Sequence, residues 1–386
     1  MPGGLGRSRK LKATNKRGSM SERLQKIQSL GQSIWYDYIQ RRELQDGSLA
    51  GLIERGEIYG VTSNPSIFHA AIGKTRDYDS ALKPMALAGL SAEAIYTHLS
   101  VEDIQAALDL FAPLYAQSGG RDGFVSLEVS PTLARDTQGT LREAKNLWQL
   151  VNRPNLMVKI PATREGIPAV RAAIAAGLNI NVTLIFSLER YAEVMEAYLA
   201  GLEERVQAGL PVDHIASVAS FFVSRVDSKI DKRLSDLGQG AQLLGKAAVN
   251  NAKLAYALFE ETFASPRFSA LKAAGAQAQR PLWASTSTKN PAYRDVIYIE
   301  ELIGEHTVNT VPPQTLAAFR DHGEAQTRLK SGLAQAKEEL AALEALGISM
   351  RQVTEELEDE GVKAFADAFQ AMMDTIETRR AAVLAD

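Results

Sequence analysis

Eight short β-rich runs, each followed by a stretch of helical periodicity, constrain this chain more than any other feature. They lie at 33–37 (SIWYD), 59–64 (YGVTSN), 124–130 (FVSLEVS), 156–160 (LMVKI), 179–185 (NINVTLI), 215–223 (IASVASFFV), 281–285 (PLWAS) and 306–311 (HTVNTV). The intervening segments are long enough for right-handed crossovers between parallel strands. Eight such alternations predict an α/β fold of the (β/α)8 TIM-barrel type, with a doubly wound open sheet as the alternative. Between strands, Thr140 and Glu143 have capping-box spacing, and Ile104, Ala107, Leu108, Phe111 and Leu114 mark one helical face. From about residue 314 the pattern is almost wholly helical. The expected organisation is one barrel domain over 20–386, with 314–386 as added C-terminal helices. The amphipathic stretch 362–380 suits either the barrel mouth or a partner surface.

Composition narrows the chemistry. The chain has no cysteine, so disulfides, thiol nucleophiles, Cys-bound zinc and iron–sulfur clusters are excluded. Net charge is −3, but residues 1–20 carry six Lys or Arg and no acid. The remainder has 37 basic against 46 acidic residues, or −9, which argues against a nucleic-acid surface. No apolar run approaches the roughly 18 residues of a membrane span, and the basic N-terminus lacks the apolar core of a secretory signal. Residues 1–19 read as a disordered tail, a leader or an expression remnant, and the expected compartment is the cytoplasm.

The strands carry an unusual alternation. In 156–160, Leu156, Val158 and Ile160 share one face, and Met157 and Lys159 the other. Val125, Leu127 and Val129 oppose Ser126 and Glu128; Ile180, Val182 and Leu184 oppose Asn181 and Thr183; Thr62 and Asn64 oppose Val61 and Ser63. Aliphatic faces pack on helices, so the barrel axis collects Asn64, Glu128, Lys159, Asn181 and Thr183. Barrel interiors are ordinarily filled with branched apolar residues, and burying charge needs partners. Polar side chains near strand C-terminal ends are where barrel enzymes keep their chemistry. A buried Lys159–Glu128 pair that only holds register is the competing reading.

Without metal or thiol, such a cluster suits amine chemistry. Desolvation disfavours an ammonium, so a lysine among apolar neighbours can present a free amine. That amine attacks a ketone to form a Schiff base, whose iminium is an electron sink for an adjacent C–C bond. Nearby carboxylates move the protons. No cofactor is required. Other signals are weak. GAQLLGKA at 240–247 falls short of a phosphate-binding loop, and Ala247 replaces the magnesium-binding hydroxyl. The five histidines are dispersed without metal-ligand spacing. Trp148 and Phe365 read as core rather than ligand platforms.

At these residues the sequence resembles the transaldolases, of the longer bacterial type, from Met20 onward. The motifs are VTSNPSIF at 61–68, VSLEVSP at 125–131, LMVKIPAT at 156–163, NINVTLIFS at 179–187, ASFFVSRVDSKID at 219–231 and LWASTSTKNP at 282–291. The resemblance implies a cofactor-free transferase of the pentose phosphate pathway and of carbohydrate metabolism. Such an enzyme moves a dihydroxyacetone unit from sedoheptulose 7-phosphate to glyceraldehyde 3-phosphate, giving erythrose 4-phosphate and fructose 6-phosphate. It implies Lys159 as the Schiff-base lysine, Glu128 as proton relay through a water, Asp37 as acid/base at the C4 hydroxyl and Thr183 as the residue that orients the water. Asn64, Asn181 and Ser220 would bind the three-carbon unit, and Arg225 the phosphate. The family's shorter members carry a second phosphate-binding arginine after the A-S of the seventh strand. Here Ala284-Ser285 is followed by TSTK, so Ser285 and Lys289 are the candidates for its role. Phe222 stands where related fructose-6-phosphate aldolases carry tyrosine. The resemblance thus favours transfer over release of free dihydroxyacetone; an aldolase that releases it and a non-catalytic sugar-phosphate-binding barrel are the alternatives. Sugar phosphates are the expected partners, in a monomer or homodimer.

Overall fold

The computed structural model describes residues 22–385; the expected tail over 1–19 lies outside the described residues. After a helix over 22–29, eight parallel strands close in sequence order into a barrel. They are β1 (Gln32–Tyr36), β2 (Gly60–Val61), β3 (Phe124–Glu128), β4 (Leu156–Pro161), β5 (Ile180–Ile185), β6 (Ser217–Phe222), β7 (Arg280–Ala284) and β8 (Thr307–Val311). β1 pairs with β8 from Gln32↔Thr307 to Tyr36↔Val311, which closes the ring and excludes the open sheet. Each β-rich run coincides with one strand to within a few residues.

The largest departure from the expected bounds is β2, which ends at Val61. Asn64 and Pro65 explain it. Asn64 Oδ1 accepts from Ile67 N at 3.0 Å and caps a short helix, Pro65–Phe68, with proline at its first position. Capping a free N–H and pre-setting φ both favour a helix start over further strand.

Between strands run α1 (Ala92–Gln117), α2 (Thr137–Val151), α3 (Gly166–Ala175), α4 (Leu188–Gln207), α5 (Ser224–Leu237) and α6 (Ala247–Phe263). The α1 face is buried at Ile104, Ala107, Leu108 and Phe111. The cap of α2 sits one turn before the expected one: Asp136 Oδ1 accepts from Gly139 N at 2.9 Å. Thr140 instead donates to Leu133 O, and Glu143 accepts from Ser130 N. GAQLLGKA holds a 3₁₀ turn, Ala241–Leu243, and follows α5 rather than a strand.

The outward residues Val125, Leu127, Val158, Ile160, Ile180 and Val182 are fully buried. With alternate side chains pointing inward, the register Glu128↔Lys159 and Lys159↔Asn181 sets three polar groups side by side on β3, β4 and β5.

After β8 come α7 (Pro313–His322), α8 (Leu333–Ala345) and α9 (Met350–Ala385). α9 lies across the barrel mouth, with Phe365, Phe369, Met372 and Ile376 buried beneath it. Ion pairs tie its first half down: Glu358 to Arg190 at 3.2 Å, and Glu356 to Arg233 at 2.7 Å and to Lys229 at 2.8 Å. Further along, Arg379 donates to the carbonyls of Ile72, Gly73 and Thr75. At Gly361 the helix comes so close that a Cβ would stand 2.9 Å from Leu184 Cδ2 of β5. Among the described residues, no helix is long and apolar enough to cross a membrane.

Candidate active site

The C-terminal ends of the strands open into a cavity of about 330 Å³. Asp37, Asn64, Lys159, Thr183, Ser220, Phe222, Arg225, Ser285 and Lys289 line it. Lys159, from β4, is only 4% exposed. Its Nζ donates to Ser63 O at 3.1 Å and lies 3.3 Å from Glu128 Oε2. Glu128 and Asn181 do not line the cavity; they flank Lys159 in register on β3 and β5. Asn181 Nδ2 donates to Ser126 Oγ at 3.0 Å, and Asn181 Oδ1 accepts from Ser220 Oγ at 2.7 Å. Asn181 therefore holds Ser220 in place.

Burial pushes the Glu128 carboxyl up and the Asp37 charge adds to the rise, while Lys159 pulls it down. Asp37 is raised for the same first reason, opposed by Lys159, by a hydrogen bond from Thr62 and by Lys289. Thr62 Oγ1 lies 2.6 Å from Asp37 Oδ1 and 2.6 Å from Thr310 Oγ1. Of two buried oxygens in the Lys159 site, Thr183 Oγ1 has no hydrogen-bond partner among the described residues, and Glu128 Oε2 has none beyond its ion pair with Lys159. Unpaired buried polar atoms are uncommon and mark a place that a polar ligand or water completes.

A second group stands at the outer rim. Among the described residues, no hydrogen bond or ion pair engages the half-buried Arg225 guanidinium; its contact is with the Phe222 ring, 5.3 Å to the centroid. Burial holds Arg225 below its usual range. Lys289 is lowered by burial and then by the Arg225 charge, so the two cations face one space. Two cations at the open end of a polar cavity, neither within ion-pair distance of a carboxylate among the described residues, suit an anion. The backbone is unusual here as well: Leu184 (φ 60°) and Ser285 (φ 55°) are left-handed at the ends of β5 and β7. Non-glycine residues take that conformation rarely and cluster at functional sites. The β5–β6 register slips between Val182 and Ile185, so Leu184 sits in a bulge directly after Thr183.

Several cavity residues escaped the sequence reading as site residues. Thr62 shares a face with Asn64, so alternation carried a signal for it; Thr310, next to last in its β-rich run, shares a face with Val308 and had none. Gln314 opens α7 and had none. Phe365 read as core, and it is buried, but its ring also roofs the cavity 5.7 Å from Lys159 Nζ. No local pattern reveals which side of a buried helix meets a site 200 residues away. A larger cavity, about 510 Å³ and lined by Tyr256, Phe259, Arg280 and His306, lies at the opposite end of the barrel and contains none of these groups.

A closed (β/α)8 barrel whose mouth centres on a buried lysine beside a carboxylate defines a lysine-centred barrel enzyme. Residues 34–376 match the model of the transaldolase/fructose-6-phosphate aldolase family, and the chain belongs to that family. Among similar proteins is transaldolase 1 of Streptomyces coelicolor, 52% identical over 353 residues, 91% of this chain and 93% of that one. A transaldolase of Thermobifida fusca is 49% identical over 94% of this chain and its own full length. A third, from Mycolicibacterium smegmatis, is 48% identical over 91% and 95%.

Proposed function

We propose that the chain is a transaldolase. It moves a dihydroxyacetone unit from sedoheptulose 7-phosphate to glyceraldehyde 3-phosphate in the pentose phosphate pathway, as one barrel domain over 20–386. The observation that carries this is Lys159 Nζ, buried at the cavity floor 3.3 Å from Glu128 in a member of this family.

Lys159 attacks the donor's C2 ketone. Glu128 supplies and recovers the protons as the C2 oxygen leaves; a carboxyl raised by burial is a stronger base than an ordinary one and is protonated in a larger share of molecules, so it can serve in both directions. A water bridging Glu128 Oε2 and Thr183 Oγ1 satisfies both oxygens and carries those protons. Asp37, steadied by Thr62, takes the C4 hydroxyl proton as the C3–C4 bond breaks and returns it when the acceptor aldehyde adds. Asn64 spends its Oδ1 on the helix cap, which leaves its amide N–H groups for the substrate. Ser220, held by Asn181, meets the same three-carbon unit. Arg225 binds the phosphate, with Lys289 and Ser285 in place of a second arginine. A lysine does this as a point charge, not a fork. Phosphate held at the rim positions the carbons that react at the floor.

The aldolase alternative, which releases free dihydroxyacetone, is disfavoured by Phe222, a 6% exposed wall with no proton to give. A cytoplasmic monomer or homodimer completes the reading. Borohydride reduction with fructose 6-phosphate, followed by peptide mapping, is the test. A three-carbon adduct on Lys159 is expected; an adduct on another lysine, or none, overturns the proposal.

A further inference from the structure

We infer that Phe365 of α9 is a further specificity-determining residue: its ring shelters and stabilises the covalent intermediate on Lys159, so that C3 of the three-carbon unit adds to an aldehyde rather than taking a proton from water. The inference rests on the Schiff-base reading above.

The geometry has three parts. First, the Phe365 ring faces Lys159 Nζ at 5.7 Å, within the reach of a cation–π contact, and the residue is only 4% exposed. As an ammonium, Nζ also has Ser63 O and Glu128 as partners for its three N–H groups; as an iminium it keeps a single N–H, so the π face carries a larger share of the charge's stabilisation. A π face attracts that charge without donating a proton or holding a water. Second, Phe365 is not on a loose flap. Tyr96 packs edge-on to Phe369, one turn further along α9, at 5.6 Å, and to Phe68 at 5.9 Å. The ion pairs at Glu356 and Glu358 hold the preceding turns. Third, the close approach at Gly361, one turn before Phe365, sets the height of the roof. It seats α9 on Leu184, the left-handed residue next to Thr183. Phe222 walls the same cavity from β6. The lysine thus lies between two apolar rings supplied by distant parts of the chain.

The reaction this roof opposes is a hydrolysis. The enamine takes a proton at C3 and becomes an iminium. Water adds to C2, the C2–N bond breaks, and dihydroxyacetone leaves with the free amine restored. Transfer instead joins C3 to the aldehyde carbon and takes the same one water when the ketose product leaves, so the two branches differ in whether C3 captures a proton or an aldehyde.

Two substitutions separate shelter from charge stabilisation. Phe365→Leu keeps an apolar roof and removes the π face. Phe365→Ala opens it. With fructose 6-phosphate alone, Phe365→Leu should lower the borohydride-trapped fraction on Lys159 about 2- to 5-fold, the scale of a cation–π contact, with little change in release. Phe365→Ala should in addition raise free dihydroxyacetone released per transfer to an aldehyde acceptor. That ratio is taken within one folded population, so a loss of stability does not move it. If wild type traps on Lys159 while both variants keep the wild-type trapped fraction and release ratio, the inference is overturned and the mechanism stands. If wild type does not trap on Lys159, the mechanism itself fails, and this inference with it.

Discussion

Two buried ion pairs occupy opposite ends of the barrel and behave differently. At the N-terminal end, Arg280 of β7 meets Asp122 at 3.1 Å, with side chains 9% and 3% exposed. At the mouth, Lys159 meets Glu128 at 3.3 Å, both 5% exposed. By burial and distance the pairs are alike, and by satisfaction they are not. Arg280 also donates to Ser33 Oγ and Arg121 O, and Asp122 accepts from Ser33 as well. Each charge there is enclosed by fixed partners. At the mouth, Glu128 Oε2 has Lys159 alone, Thr183 Oγ1 has no hydrogen-bond partner, and Arg225 has no acidic partner at hydrogen-bond distance among the described residues. A saturated buried pair holds strands together. An unsaturated one keeps bonding capacity for a molecule that is not part of the chain.

Substitutions can break this contrast. Lys159→Met should lower kcat/KM by roughly 10⁴-fold or more, the scale of losing a nucleophile, and abolish borohydride labelling. Stability should change less than at the other pair, because burial already raises Glu128 and lets it go neutral. Asp37→Asn should slow turnover by about 10²- to 10⁴-fold, the range of general acid–base catalysis, while labelling of Lys159 persists. Because the raised Asp37 must be ionised to take a proton, wild-type kcat/KM should fall on the acid side at a higher pH than an ordinary carboxylate dictates. The arginines give the sharpest pairing. Arg280→Met strands Asp122 and should cost about 3–5 kcal/mol in urea unfolding, with kcat/KM of the folded enzyme retained. Arg225→Met should do the reverse, raising KM about 10- to 150-fold, the scale of lost charge-assisted hydrogen bonds, with stability held. Equal effects of the two on stability would end the distinction.

The last expected effect concerns a carboxylate outside both pairs. Asp227 on α5 accepts from Tyr298 Oη at 2.6 Å and Ala248 N at 2.7 Å. Burial raises it from 3.8 to about 6. Between those values the folded state holds the proton and the unfolded state has lost it. This group's stabilisation is therefore complete below about pH 3.8 and is lost as pH rises through about 6, on the order of 3 kcal/mol in all. Asp227→Asn should flatten that part of the stability profile measured by urea titration across pH.

Alternation made the strands legible, along with the polar axial set, because a period of two is a local property of a half-apolar strand. Motif resemblance then singled out nine side chains that do line one cavity, plus Glu128 and Asn181 beside Lys159 in register. What stayed hidden came from contacts distant in the chain. Thr140 and Glu143 had the spacing of a cap but lost it to Asp136, whose side chain reaches the free N–H of Gly139. Phe365 looked like core because an aromatic on a helical face is core in either position.

The order of residues alone determined the β/α repeat, the absence of thiol chemistry and the presence of a lysine and a carboxylate on the axial face of their strands, since each depends on spacing or composition. Tertiary structure decided which buried charges are closed off and which stay open, and that α9 covers the mouth. Satisfaction of a polar atom and the contact partner of a helix depend on three-dimensional neighbours, and those neighbours come from strands and helices far apart along the chain.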